Sequence, residues 1–316
     1  MHREKVACAH VFSAGFVLLF VLCSCSINQL AVRAVAGVLS GSGESNVFTT
    51  DEDTQLVGDA LPFALKTYEA LLEADPQNAE LALGTARAFA GYAYGFVQIP
   101  ADELSIDQVD TQLAMHKRAQ KLFLRARDYA LRGLEIRRKG FRATLSTKGP
   151  AAALKLARPE DIDFLYWAGA SWLGAFSAEP FDFSLIVTLP QAIALLQQVE
   201  TWSDSYERGA VHEIFISYYA AAPAELCGSE EKARAEFARA VELSGGHSAG
   251  PYVALASSLS VKNQNLGEFR DLLTTALAVD VNAVPSERLT NTINQQKAQW
   301  MLDHTDRFFL EGQDTQ

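Results

Sequence analysis

The chain has 316 residues, 49% of them hydrophobic and 21% charged, with 38 acidic against 27 basic side chains and a net charge of −11. That balance excludes the basic footprint on which nucleic-acid binding depends. It also gives no electrostatic attraction to anionic lipid.

The first element in chain order is a leader. Arg3 and Lys5 precede an apolar run from Val11 to Leu22, too short for a ~30 Å hydrocarbon core that a helix of ~20 residues would span. A small positive region followed by a short apolar one has the plan of a secretory signal peptide. Leu22-Cys23-Ser24-Cys25 then reads as a lipobox, with an aliphatic residue three places before the cysteine and two small residues between. Cys23 is the poorer choice, because bulky Phe20, Val21 and Leu22 would precede it. Residues 1–24 are therefore assigned to a lipoprotein signal peptide, and Cys25 is the expected lipidation site. Two acyl chains at ~0.8 kcal/mol per buried CH₂ hold a protein stably on a bilayer. Removing the leader takes away Arg3, Lys5 and Glu4 and leaves a net charge of −12. With Cys25 acylated, Cys227 has no partner for an intrachain disulfide, so the fold must stand on its apolar core.

Residues 25–55 form a tether. A short apolar-periodic piece is broken at Ser40-Gly41-Ser42-Gly43, and such a run behaves as flexible coil. Residues 56–316 then form one all-α domain: long apolar-periodic segments rich in Ala, Leu, Glu and Arg, with almost no alternating β-branched runs.

A small-large-small face recurs along that domain at helical spacing. It appears as Ala64, Tyr68 and Leu71 in a helix ended by Pro76, as Ala126, Ala130 and Gly133, as Ala233, Phe237 and Ala240, and as Phe269, Leu273 and Ala276. Small positions let a neighbouring helix approach, while the large residue fills the gap above. This is the packing of the second helix of a tetratricopeptide (TPR) unit. Candidate first helices, Ala79 to Phe96 and Phe164 to Phe176, place Ala86 or Gly169 three residues before Phe89 or Trp172. The copies start 62, 107 and 36 residues apart against a regular period of ~34. The expected architecture is thus an α-solenoid of cryptic TPR-like helix pairs with insertions near residues 98–116, 139–160 and 177–205. Ala233 is expected in a close helix contact and Arg234 outside it.

The residues give no reason to expect an enzyme, a cofactor or a metal. The histidines, His2, His10, His116, His212, His247 and His304, do not pair at metal-ligand spacing, and His212-Glu213 lacks the second histidine of a zincin helix. No nucleophile elbow, phosphate loop or dinucleotide fingerprint occurs. Carboxylates such as Asp161 and Asp163 sit where helices start and read as caps. Aromatic density is the feature left over. Tyr166, Trp167 and Phe176, and Tyr218 and Tyr219 beside His212, either belong to the core or line a groove for a small organic ligand or a partner helix. Trp167 and Trp172 lie five apart on one expected helix, so ~140° separates them around its axis. Trp172 takes the large position of the seam, and Trp167 turns away from it.

Several blocks, among them "GYAYGFVQIPADEL", "LYWAGASWLGAFS", "GAVHEIFISYYAA", "KARAEFARAVELS" and "LTNTINQQKAQWML", resemble in order those of the TRAP-transporter T-component family (TatT). The resemblance covers nearly the whole chain after the leader. It implies a periplasmic lipoprotein with cryptic TPR helices, anchored to a membrane through its N-terminal lipid. It also implies association with the periplasmic solute-binding subunit of a TRAP transporter, a small hydrophobic or organic-acid ligand, and self-association as a trimer with internal pores. The last block places Asn291 and Gln295 where they either line a pore or cap packing. A general TPR scaffold lipoprotein for envelope assembly is the other function compatible with these features.

Replacing Cys25 with Ala is expected to release the protein from membranes and abolish labelling by a palmitate analogue. Label retained on that variant would move the lipid to another residue.

Overall fold

A computed structural model of the chain describes residues 46–224 and 227–310. Cys25, the expected signal peptide and most of the expected tether lie outside the described residues. Among those described there are thirteen α-helical segments, of which the short Ile99–Asp102 continues the second helix, and no strand.

Helix starts follow side-chain chemistry. Helix α1 (Thr54–Ala74) is capped by Asp53, whose Oδ1 accepts from the Leu56 N–H at 2.9 Å, and α2 (Ala79–Ala93) by Asn78, which accepts from Leu81 N–H. Each cap satisfies one of the donors that a helix leaves unpaired. A wider turn at Tyr94–Gln98 extends α2 towards Asp102. The longest helix, α3 (Val109–Arg137), is followed by two short ones, α4 (Phe141–Lys148) and α5 (Pro150–Leu154). Then come α6 (Ile162–Ala178) and α7 (Phe183–Trp202). The C-terminal half holds α8 (Ala210–Ala221), α9 (Glu230–Ser244), α10 (Gly250–Leu255), α11 (Leu266–Leu277) and α12 (Arg288–Asp303).

The helices pack in pairs: α1 on α2, α2 and α6 both on α3 and touching each other, α7 on α6, α8 on α9 and α11 on α12. The segment around residues 177–205, read from sequence as an insertion, is mostly α7, the partner of α6. It is long and apolar enough to cross a membrane by length and composition alone. Its Leu185, Leu189, Leu195, Leu196 and Val199 are nevertheless buried in the core. The other two expected insertions are the turn after α2 with the start of α3, and α4 with α5.

Small residues set the closest contacts. The Phe123 ring of α3 lies over Gly174 of α6, and the Phe164 ring of α6 lies over Gly133 of α3. A Cβ at Gly174 would meet Phe123 at 2.6 Å, and one at Gly133 would meet Phe164 at 2.4 Å. Gly169 holds the same relation to Leu196 of α7, at 2.7 Å. Of the expected small-large-small sets, Ala126, Ala130, Ala233, Phe269, Leu273 and Ala276 are fully buried. Arg234 lies outside the Ala233 contact as expected, with its side chain 40% exposed, but it is not idle there. It bridges α9 to α11 through Glu268 at 2.5 Å and pairs with Glu230 one turn back.

Two polar joints complete the frame. Asp161, wholly buried before α6, pairs with Arg137 at 2.8 Å and Arg138 at 2.6 Å from the end of α3. At the other joint the segment before the first helix meets the last one. Leu289 N–H donates to the Thr49 carbonyl at 3.0 Å, Arg288 to that of Thr50 at 2.8 Å, and Gln296 to the Thr54 hydroxyl at 3.1 Å. Helix α12 therefore lies against the start of α1, and its Ile293 packs over Gly95.

Gly133→Ala and Gly174→Ala are each expected to cost about 1–3 kcal/mol by overpacking. Gly91→Ala, in the same class of helix but with nothing within 4 Å of the added methyl, is expected to stabilise by about 0.5–1 kcal/mol. Denaturant melts of the three variants check the opposite signs.

Candidate functional site

Helix α6 carries the aromatic cluster singled out in the sequence. Trp172 is core: it is 5% exposed, its Nε1–H donates to Thr188 of α7 at 3.1 Å, and the Arg127 guanidinium covers its ring at 4.7 Å. Trp167 points elsewhere. Its ring stands edge-on to Tyr166 at 5.3 Å and under Arg87 of α2 at 5.9 Å. Its indole Nε1 is buried and finds no acceptor among the described residues, and neither does Arg87 Nε.

Arg87 is held from its far end. Its Nη2 donates to Asp163 Oδ2 at 2.8 Å, and Asp163 Oδ1 accepts from the Tyr206 hydroxyl at 2.5 Å. Tyr206 in turn packs on Tyr166, with ring centroids 4.9 Å apart. Burial raises both phenols well above the usual tyrosine range, with Asp163 adding to the rise at Tyr206 and Glu213 at Tyr166. Both therefore keep their protons.

Helices α8 and α12 bring charge to the same region. The Glu213 carboxyl of α8 rests on the start of α10, where a Cβ at Gly250 would lie 2.2 Å from it. Burial pushes this carboxyl up to about 7. The Glu287 carboxylate adds to the rise, and the Lys297 ammonium of α12 opposes it. Arg87, Trp167, Tyr166, Glu213 and Lys297 thus come from four helices, α2, α6, α8 and α12. The chemistry brought together is two unmet N–H donors beside aromatic rings and a carboxyl that ionises near neutrality.

The other sequence candidates fall in three places. Phe176 is half-buried against the main core. Tyr218 and Tyr219 cluster with Phe215 further along α8, at centroid separations of 5.3–6.3 Å, and Lys232 lies 5.2 Å over the Tyr219 ring. His212 is buried on another side of α8, bonded to Glu236 and Asp204. Asn291 and Gln295 spend their amides on backbone. Asn291 is 1% exposed, accepts from Ala249 N–H and donates to the His247 carbonyl, both at 2.9 Å. Gln295 Nε2 donates to the carbonyls of Ala276, Leu277 and Val279 at the end of α11. Of the two roles open to them in the sequence, the structure gives both residues capping.

Sequence reasoning missed Arg87, Glu213 and Lys297. Glu213 lay beside His212 in the tested zincin pattern, and its partner glycine stood in "SAGPY". For Arg87 and Lys297 only the tertiary fold supplies the signal.

A family model described as TRAP transporter T-component matches residues 50–309. A protein of Treponema pallidum (strain Nichols), itself described as uncharacterized, is 33% identical over 326 residues. The match covers 98% of this chain and 99% of the relative.

The raised carboxyl gives the site a pH signature. An unfolded Glu ionises near ~4.3, whereas Glu213 in the folded chain ionises at about 7. The neutral carboxyl costs the fold nothing below the unfolded value. Stability is then lost as pH rises towards 7, and the full penalty holds above it. Glu213→Gln is expected to stabilise the protein by on the order of 3 kcal/mol at pH 8 and to leave the melt almost unchanged at pH 4. Calorimetry at the two pH values checks this, and an equal shift at both would contradict it.

Proposed function

The chain belongs to the TRAP transporter T-component family, and from that premise we propose that it is a membrane-anchored periplasmic accessory lipoprotein. It docks the solute-binding subunit of a TRAP transporter and assists uptake of a small hydrophobic or organic-acid ligand. Family membership implies the accessory, non-enzymatic role in TRAP transport. The lipobox at Cys25 supports the anchor, and the helix pairs with buried small residues support a cryptic TPR solenoid. Exposed Phe181, Phe183 and Val187 beside and along α7 support self-association, which we take to be trimeric.

One observation carries the ligand assignment: Trp167 Nε1 and Arg87 Nε are buried without acceptors beside the Tyr166 and Tyr206 rings. Leaving a buried donor unmet costs about 1–3 kcal/mol, and a charge-assisted bond is among the stronger ones available. A carboxylate on an apolar body satisfies both donors and covers the rings with its chain. Lys297 adds positive charge on the α12 side.

Co-purification from detergent with the neighbouring solute-binding subunit tests the docking, and no association at micromolar concentrations would remove it. Trp167→Phe, which keeps the ring and deletes the donor, is expected to weaken binding of monocarboxylic acids about tenfold, read by fluorescence titration, with an unchanged melt. Trp172→Ala is expected to cost about 3–5 kcal/mol of stability. If Trp167→Phe melts as badly, the indole is only a packing group.

A further inference from the structure

A second polar cluster lies on another side of α8. His212 is 3% exposed. Its Nδ1 stands 2.6 Å from Glu236 Oε2 of α9. Its Nε2 stands 3.1 Å from both the Asp204 carboxylate Oδ1 and the Asp204 carbonyl, in the turn between α7 and α8. Glu200, in the last turn of α7, brings another carboxylate. One ligand atom from each of Glu200, Asp204 and His212 lies within 4.8 Å of the other two.

These contacts restrict what can sit at Nε2. A carboxylate only accepts, so Glu236 fixes the hydrogen on Nδ1. The Nε2 lone pair is then turned to two oxygens that also only accept. Such an arrangement is stable only with positive charge at that point, either a proton or a metal ion in its place. A proton answers Asp204 directly but reaches the Glu200 carboxylate only through space, since Glu200 makes no hydrogen bond or ion pair among the described residues. The nearby cation does not reach it either: Arg239 is bound to Asp204 Oδ2 and to Glu242. Asp204 Oδ1 is thereby left facing the histidine. A divalent ion between Nε2, Oδ1 and Glu200 answers all three groups at once.

We propose that His212 Nε2, Asp204 Oδ1 and a Glu200 carboxylate oxygen bind one divalent transition-metal ion, with Glu236 orienting the imidazole from behind. A histidine that ligates a metal almost always donates its other N–H to a carboxylate or carbonyl, and Glu236 stands in that position. One imidazole and two carboxylates suit zinc, with a fourth position open to water on the exposed Asp204 side. The imidazole disfavours calcium and magnesium, and the lack of thiolate or thioether disfavours copper(I). Bound there, the ion ties the end of α7 to α8 and α9, one residue away from Glu213.

The test uses the full-length chain freed of metal with EDTA and titrated with zinc chloride, followed by calorimetry and thermal melts. One zinc per chain and a raised melting temperature are expected, and cobalt(II) in its place should give the visible absorption of a four-coordinate ion. Glu200→Gln removes a ligand that has no other bond to lose, so it should fold normally and weaken zinc binding at least about tenfold. His212→Gln should abolish binding. His116→Gln, which alters only a separate His–Asp pair with Asp102, should change nothing. No zinc binding by the unaltered chain would overturn the site, as would equal affinity in Glu200→Gln. Should His212→Gln fail to fold, the Glu200 and His116 variants still decide the matter.

Discussion

The fold depends on a reciprocal exchange between α3 and α6. Each helix carries a phenylalanine and a glycine ten residues apart, Phe123 and Gly133 on α3 and Phe164 and Gly174 on α6. In the antiparallel pair each ring closes over the other helix's glycine. Ten residues are ~15 Å of helix, so the two contacts pin both the register and the crossing of this pair, as knobs in holes do. Helix α2 leans on the same α3, and α7 takes its position from Gly169 of α6. The N-terminal half is therefore referred to this one pair.

Closure is the second constraint, and it is polar. Helix α12 reaches the start of α1 through backbone carbonyls of Thr49 and Thr50 and a hydroxyl of Thr54. The helices between these ends must turn the chain back on itself, which is why α2, α6, α8 and α12 can share a region. Charges taken into it are costly unless paired. Arg87 is paired at one end only, through Asp163, and Glu213 meets its cost by holding its proton up to about 7. Asp161 shows the contrasting solution: wholly buried, it takes two arginines. Asp161 and Asp163 lie two residues apart and serve different ends, the first structural and the second as the anchor of an arginine whose Nε faces inward.

The helical class and the close small-residue contacts were legible in the sequence because both depend on local spacing. Ala126, Ala233 and the Phe269 set are buried as the pattern requires, and the division between Trp172 and Trp167 followed from helical rotation alone. Helix α7 was missed for two reasons. Pro190 lies inside it, where a proline normally ends a helix, and exposed Phe183 and Val187 blur its apolar face. Arg234 faces outward as its spacing requires, but its bridge to Glu268 on α11 depends on a partner distant in sequence. Asn291 and Gln295 look equally suited to a pore or a cap, and only the free carbonyls nearby decide between them. Arg87, Glu213 and Lys297 are far apart in sequence, so no spacing rule connects them.

Helix α8 sits between two chemically different regions. Consecutive residues on a helix point ~100° apart, so His212 and Glu213 cannot share a neighbourhood. His212 faces the Asp204–Glu236 side, where carboxylates are in excess, and Glu213 faces the start of α10, with Lys297 as its opposing charge. The same acidic composition that excluded nucleic acid thus acts twice at close range. On one side a positive species is held at an imidazole, and on the other a carboxyl is held neutral. A rotation of α8 about its axis would disturb both environments together, and Phe215 and Ile216, fully buried on the same helix, are what prevent it. The polar chemistry on either side is therefore no more rigid than the apolar packing of those two residues.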